Sequence, residues 1–267
     1  MPVAAMPLNL TSDHVESVVE LARQAGARIM TFYGRAIDVR AKDDRSPVTD
    51  ADEAAEAIIL PGLERLTPGV AVISEEAASK VAALSAGSRD AGAFWLVDPL
   101  DGTKEFIKRN GEFTVNIALI ERATPRFGVV YLPATDTSYV GLVGNGASVR
   151  RGREPAKPIS ARAAPAEGLT VLASRSHAND EALDEFLATR NVRERLSAGS
   201  SLKFCRVAEG IADLYPRFGR TMEWDTAAGH AVLLAAGGSV RRLDGMPLTY
   251  GKPGYENPHF IASGRSS

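Results

Sequence analysis

The sequence has a single cysteine, Cys205, which excludes an internal disulfide framework and fits a reducing compartment. Apolar runs are short. None approaches the ~18 consecutive residues of a membrane span, and residues 1–10 lack the basic start and long apolar core of a secretory leader. Charge of one sign is also missing: 31 Lys and Arg against 33 Asp and Glu leave a formal net charge of −2. Aromatics make up only 6% of the chain, and no basic stripe is interleaved with them. A nucleic-acid surface, or one for an acidic membrane, is therefore not expected. There is no internal repeat and no low-complexity tract. These absences leave a soluble cytosolic chain of 267 residues, 45% hydrophobic, long enough for one large domain or two small ones.

What is present centres on residues 94–106. Phe94, Trp95, Leu96 and Val97 are an apolar run that predicts a short buried strand. The run should stop at Asp98-Pro99, because proline removes a ladder donor. Asp101-Gly102 predicts a turn. Asp98 and Asp101 then stand together at a strand end, where like charges repel unless a cation lies between them. Oxygen donors with no His or Cys beside them suit a hard ion, magnesium ahead of zinc. Gly102-Thr103 reads as a helix start, whose free N–H groups suit a phosphate. The competing reading is an Asp-Pro-x-Asp-Gly surface turn without chemistry.

Elsewhere the periodicities predict alternating elements. Asp13 with Glu16 predicts a capped helix carrying Val15, Val18, Val19, Ala22, Ala25, Ile29 and Phe32, stopped near Gly34. A second helix starts near Asp50 and presents Ala55, Ile59 and Leu63, with Pro61-Gly62 expected to kink it or end it early. Strands are expected over 70–73, 114–120, 127–131, 138–142 and 147–151, and a loop or irregular helix over 77–92. Residues 151–168, rich in Pro, Arg, Ala and Glu, read as a link between an N-terminal half, 1–150, and a C-terminal half, 151–267. The second half alternates: strand 169–173, helix 182–188, helix 200–209, strand 212–215, helix 225–236 closed by Gly237-Gly238, and a last strand from Val240. The pattern predicts an α/β fold of layered helices and sheets rather than a simple doubly wound sheet. Phe204 and Val207 beside Cys205 predict a buried structural thiol.

Acidic residues recur at strand ends and helix starts: Asp52, Glu75, Asp98 with Asp101, and Asp225. Taken singly, Asp52 and Asp225 are explained by the helix dipole, worth ~0.3–1 kcal/mol, and Glu75 with Glu76 by a solvated loop. Taken jointly, they supply the carboxylates of a two-metal site that clamps both oxygens of an in-line displacement. Three stretches carry a resemblance: Ile73-Ser74-Glu75-Glu76, Asp98-Pro99-Leu100-Asp101-Gly102-Thr103, and Trp224-Asp225-Thr226-Ala227-Ala228 with Ala236-Gly237-Gly238. In these the chain resembles the inositol monophosphatase superfamily of magnesium-dependent, lithium-sensitive phosphatases. The run from Asp98 to Ile120, with Ser46-Pro47-Val48-Thr49, Ser174-Arg175-Ser176-His177, Gly199-Ser200-Ser201-Leu202-Lys203-Phe204-Cys205 and Leu214-Tyr215-Pro216-Arg217-Phe218-Gly219, is most similar to the family's 3′(2′),5′-bisphosphate nucleotidases. The resemblance spans residues 13–262, nearly the whole chain.

The resemblance implies an inositol monophosphatase-like fold of α, β, α, β and α layers. It implies two or three magnesium ions held by Glu75, Asp98, the Leu100 carbonyl, Asp101 and Asp225, with Thr103 and Asp52 orienting or deprotonating the attacking water. The Gly102 and Thr103 N–H groups would hold the scissile phosphate, and Glu76 would support the ions from behind or lie in solvent. The implied activity is hydrolysis of the 3′-phosphate of adenosine 3′,5′-bisphosphate in sulfate assimilation, with the sulfated precursor as a further substrate. Lys203 and Arg217 stand in the second half; an arginine at 217 suits a second phosphate, through bidentate charge-assisted bonds, better than a sugar hydroxyl. A charge exposed on a loop is the alternative for Arg217. His177 would stack on or bond to a purine, or play a structural part; Ser200 and Ser201 would cap a helix or bind phosphate or ribose. An inositol or sugar monophosphatase is the second enzymatic reading, and a nucleotide sensor without turnover the non-enzymatic one. The resemblance leaves open a peripheral association with the cytoplasmic face of the inner membrane, though no run in this chain anchors it.

Overall fold

Alternation along one strand decides the layering. The structure, a computed structural model, describes residues 10–34, 39–41, 47–80, 92–174 and 181–266. Two long helices, α1 (Ser12–Tyr33) and α2 (Asp50–Leu66), flank a small antiparallel pair, β1 (Val39–Ala41) and β2 (Pro47–Thr49). A seven-stranded sheet follows: β3 (Ala71–Ser74), β4 (Ala93–Asp101), β5 (Thr114–Glu121), β6 (Thr124–Leu132), β7 (Thr137–Leu142), β8 (Gly146–Arg151) and β9 (Lys157–Ile159), in that spatial order. Only β3 and β4 run parallel; the rest form an antiparallel meander. Two short helices, α3 (Glu75–Lys80) and α4 (Thr103–Ile107), follow β3 and β4. The five-stranded sheet is made of β10 (Leu169–Ser174), β11 (Val192–Ala198), β12 (Leu214–Arg217), β13 (Ser239–Arg242) and β14 (Phe260–Ser263), in the order β11-β10-β12-β14-β13. Its helices are α5 (Glu181–Leu187), α6 (Leu202–Ala208) and α7 (Glu223–Ala235).

On β4, Trp95 and Val97 point to one face and Phe94 and Leu96 to the other, as period-two geometry requires. The first pair joins Ile29, Ile59 and Val129 under α1 and α2. The second pair joins Phe204, Ala228, Tyr215 and Phe260, so α6 and α7 lie between the sheets. A smaller core of Val171, Leu183, Leu187 and Leu214 seats α5 on the far side of the second sheet. At ~1.5–3 kcal/mol for each large apolar side chain fully buried, these cores fix an α, β, α, β, α stack, as expected. The central helix α7 packs on β4, β5, β6 and β7 although it comes from the C-terminal half. Close approach makes this possible: a Cβ at Gly128 would fall 2.5 Å from the Ala228 carbonyl oxygen, and one at Gly141 2.5 Å from the Val232 Cα. Cys205 is fully buried in this layer, and burial pushes its thiol pKa well up.

Several boundaries differ from expectation. Thr11, not Asp13, caps α1, and its reciprocal partner is His14 rather than Glu16. The second helix runs through Pro61 to Leu66, because Leu63 still packs in the core beyond it and Gly62 leaves room for Leu21. The link 151–168 contributes β9 to the first sheet, and the last strand is β14, which inserts between β12 and β13. Glu75 and Glu76 start a helix rather than a loop, and Glu76 is buried. Among the described residues no helix is long and apolar enough to cross a membrane.

Candidate active site

The strand β4 does not stop at Asp98-Pro99. Pairing with β5 steps from Asp98–Asn116 to Asp101–Thr114, so one extra residue is accommodated in a bulge. Pro99 sits in that bulge, where a missing ladder donor costs nothing. Within the bulge the Leu100 N–H donates to Asp98 Oδ1 at 3.1 Å. Gly102 then takes φ +89°, and α4 begins at Thr103. A Cβ at Gly102 would fall 2.0 Å from Ser200 Oγ, so glycine is required by both conformation and space.

Three elements bring carboxylates to the same corner. Glu75 opens α3, Asp98 lies on β4, and Asp225 is the third residue of α7. One oxygen of each lies within 4.8 Å of the others. Asp225 Oδ2 accepts the Met222 N–H at 2.7 Å, which caps its own helix and commits one of its two oxygens. Asp101 adjoins the corner, and its Oδ2 accepts Ser201 N–H at 2.6 Å, Asn116 Nδ2 at 3.1 Å and Thr114 Oγ1 at 3.3 Å. Burial, with the charges of Asp101 and Glu75 added, pushes the Asp225 carboxyl well above the usual carboxylate range. Burial raises Asp101 as well, against the opposing pull of Lys203, Asn116 and Ser201. A cation relieves this repulsion. The clustered donors are carboxylates, with no His or Cys among them and Leu100 lining the same cavity; this set fits a hard divalent ion.

Asp52, buried on the first turn of α2, meets this corner through α4: Thr103 Oγ1 lies 3.4 Å from Asp52 Oδ1 and 3.4 Å from the Leu100 carbonyl. The opposite wall is the 198–203 turn. Ser200 has φ +48°, so α6 starts at Leu202 rather than Ser200. The Ser200 hydroxyl lies 2.8 Å from each of the Asp101 and Glu112 carbonyls and donates to that pair, which fixes the turn against β4. Ser201 Oγ donates to the Asp225 carbonyl at 2.6 Å. Lys203 Nζ donates to the carbonyls of Ser200 at 2.7 Å and Ala198 at 3.2 Å, over the Tyr215 ring. Burial lowers the Lys203 pKa to about 8, with Asp101 pulling it back up. Arg217, only 8% exposed at the end of β12, donates through Nη2 to the Arg220 carbonyl at 3.1 Å. It is not a loop charge in solvent.

Glu75, Asp98, Leu100, Asp101, Gly102, Thr103, Ser200, Lys203, Arg217 and Asp225 line one cavity of about 240 Å³. His177 lies outside the described residues, as does Ser46. Sequence reasoning passed over the supports. Fully buried Glu223 accepts the N–H groups of Gly251 at 2.6 Å and Lys252 at 2.9 Å and pairs with the Lys252 ammonium at 2.6 Å. Asn257 Nδ2 donates to the Met222 carbonyl at 2.7 Å. Together they pin the start of α7, where Asp225 stands. Glu223 was visible as an acid next to Trp224, but Asn257 carries no local signal for this role, since the partners that tie it to the start of α7 lie 31 to 36 residues away.

Residues 12–264 match the inositol monophosphatase family. The chain is 49% identical over 252 residues to the 3′(2′),5′-bisphosphate nucleotidase CysQ of Escherichia coli (strain K12), covering 93% of this chain and 99% of that one. It is 42% identical to the protein of the same name from Buchnera aphidicola subsp. Acyrthosiphon pisum (strain APS), covering 96% and 95%. Among solved structures, CysQ from Bacteroides thetaiotaomicron, described as a bacterial member of the inositol monophosphatase family, superposes with a TM-score of 0.81 at 38% identity, covering 96% of this chain and 98% of that one.

Proposed function

The chain belongs to the inositol monophosphatase family, and from that premise we propose that it is a magnesium-dependent phosphatase that hydrolyses the 3′-phosphate of adenosine 3′,5′-bisphosphate to AMP and inorganic phosphate. One observation carries the reading: an oxygen-only acidic corner and two buried cations, Lys203 and Arg217, line the same cavity. The acids suit ions that engage one phosphate; the cations suit the charge of a second. Relatives named for this activity, up to 49% identical over nearly their whole length, support it further. The reaction recycles a by-product of sulfate assimilation, and the sulfated precursor is a second substrate of the same form.

Glu75, Asp98, Asp101, Asp225 and the Leu100 carbonyl are the groups that would hold two or three magnesium ions. The ions supply Lewis-acid neutralisation of phosphoryl charge and acidify water. The chain's own residues do the rest. The Thr103 hydroxyl donates toward Asp52, which leaves its oxygen lone pairs to accept a hydrogen from the attacking water, and Asp52 is the final holder of that proton. The 3.4 Å separation is long, and contacts of this kind tighten in the substrate complex. The N–H groups of Gly102 and Thr103 receive the scissile phosphate. Arg217 engages the 5′-phosphate, with Lys203 adding charge behind it. The cavity, about 240 Å³, is smaller than a pocket of ~300–1,000 Å³ that engulfs a drug-sized ligand, so the adenine lies at its mouth. Ser200 is assigned as a wall of the phosphate site; His177, outside the described residues, keeps its reading from the sequence as a purine contact. In this division of labour residues 1–150 carry most cation ligands and the scissile-phosphate contacts, and residues 151–267 carry Asp225 and the remaining substrate contacts. The lone buried cysteine supports a cytoplasmic setting.

The test is phosphate release from adenosine 3′,5′-bisphosphate against inositol 1-phosphate, with magnesium, with and without lithium. A strong preference for the bisphosphate, abolished by lithium, is the expected result. Preference for inositol phosphate would keep the cation corner and overturn the assignment of Lys203 and Arg217.

A further inference from the structure

Glu56 lies one turn beyond Asp52 on α2, and its side chain reaches the junction between β3 and α3. Its Oε1 accepts two hydrogen bonds there. One comes from the Ser74 hydroxyl, the other from the Ala77 N–H at 3.0 Å. Ser74 is the last residue of β3, and Ala77 is the third of α3. The two bonds therefore bracket Glu75, the first residue of α3 and a member of the acidic corner. A helix of six residues is too short to hold itself, and its first N–H groups have no partners within it. Glu56 supplies from a neighbouring helix an acceptor for one of those N–H groups, that of Ala77. Ser74, fully buried, has no water to bond instead.

The preceding turn of α2 carries Asp52, which meets Thr103 across from α4. One rigid helix thus touches two parts of the site: the group that receives the proton and the segment that presents Glu75. We propose that Glu56 is a positioning residue: through its Oε1 acceptor it fixes the β3–α3 junction so that Glu75 is held against Asp98 and Asp225, in register with the Asp52–Thr103 pair. The proposal rests on the reading of Glu75 as a cation ligand. It makes Glu56 act through hydrogen-bond geometry, and its charge is not what matters.

That distinction sets the experiment. Glu56→Gln keeps an oxygen acceptor and removes the charge; Glu56→Ala removes both. Manganese binding to metal-free protein is measured by calorimetry, and amide exchange of residues 75–78 is followed without metal. Glu56→Ala should weaken manganese binding roughly tenfold, the lower end of what supporting partners of metal ligands contribute, and should speed exchange at Ala77. Glu56→Gln should stay within about threefold of wild type on both readouts, since the acceptor survives. KM for the bisphosphate at saturating magnesium should move less than about twofold in either variant, because uniform substrate binding is untouched. Unchanged manganese affinity in folded Glu56→Ala overturns the proposal. So does Glu56→Gln as weak as Glu56→Ala, which would make charge the cause. Should Glu56→Ala not fold, Ser74→Ala removes one of the two donors and must still weaken binding about threefold; unchanged affinity there also overturns it. Glu75→Gln separates the two levels: if it leaves manganese affinity intact, the ligand assignment falls and takes the positioning role with it, whereas a weak Glu75→Gln beside an intact Glu56→Ala removes the positioning role alone.

Discussion

Two turns face each other across the cavity, and they are made in opposite ways. The β4–α4 turn holds Asp98, Leu100, Asp101, Gly102 and Thr103 in one short run, shaped by a bulge at Pro99 against β5, an Asp98 bond to the Leu100 N–H, and a left-handed Gly102. The 198–203 turn is closed by the Lys203 ammonium on the Ala198 and Ser200 carbonyls but is anchored from afar. Ser200 and Ser201 are held by Asp101, Glu112 and Asp225, all at least 24 residues distant. Asp101 belongs to both, since the carboxylate that borders the acidic corner also receives the Ser201 N–H. The first turn has its ligands next to one another in the chain. The remote one exists only once both sheets are in place, which couples the substrate wall to the integrity of the fold.

Asp98→Asn tests the first turn most severely. It retains the acceptor for the Leu100 N–H but lowers the charge of the corner, so kcat/KM should fall by about 10³ or more while the metal-free Tm rises or holds, by analogy with the loss of one preorganised electrostatic group. A metal-free Tm several degrees lower would mean that Asp98 has a structural duty as well. Arg217→Glu should come next. Bisphosphate hydrolysis should drop about 100-fold and inositol phosphate hydrolysis less than about threefold, as expected for losing a desolvated charge-assisted contact. Equal losses would show that Arg217 supports the wall rather than the second phosphate. Gly102→Ala forces a Cβ onto Ser200 Oγ at a left-handed position and should cost about 1–3 kcal/mol of stability by chemical denaturation, together with activity. A neutral result would mean that the second turn yields to the first.

Ser201→Ala attacks the remote turn instead. It removes the bond to the Asp225 carbonyl and should cost about 1–3 kcal/mol; KM for the bisphosphate, measured by initial rates, should rise more than kcat falls. The smallest effect is in pH. Asp101 and Asp225 are raised in the native state, so between the ordinary carboxylate range and their native values the folded protein binds more protons than the unfolded one, and stability falls as pH rises. Metal-free Tm should therefore decline across that window, and added magnesium should stabilise more at the higher pH, where protons no longer compete. Stabilisation by magnesium that does not vary with pH would remove these two acids from the ion site.

The contrast between the turns also explains what the sequence disclosed. The β4 run, the first-turn acids of α2 and α7, and the layered α/β character were legible because each depends on neighbours in the chain: a period of two, an Asp-Gly turn, an acid at a helix start. The strand's passage beyond Pro99 was not, since the bulge is decided by pairing with β5. At Pro61 the sequence allowed α2 either a kink or an early end, and the early end is not taken because the core beyond it outweighs local propensity. Ser200 read as a helix opener, yet its left-handed backbone and its bonds to residues nearly a hundred positions away make it a tie. Glu56 was hidden although it stands four residues after Asp52, because nothing in the sequence places β3 beside α2.

The bare backbone beneath α7 at Gly128 and Gly141 has a consequence for engineering and for drift. A helix resting on side chains can be shimmed: a larger or smaller residue below shifts it slightly, and its cargo follows. At these two points α7 rests on main chain, at a spacing into which not even a methyl group fits. Its height above the sheet is therefore not adjustable by substitution there. Asp225 inherits that fixed datum, so any attempt to transplant the acidic corner onto another scaffold must carry β6 and β7 along with the helix.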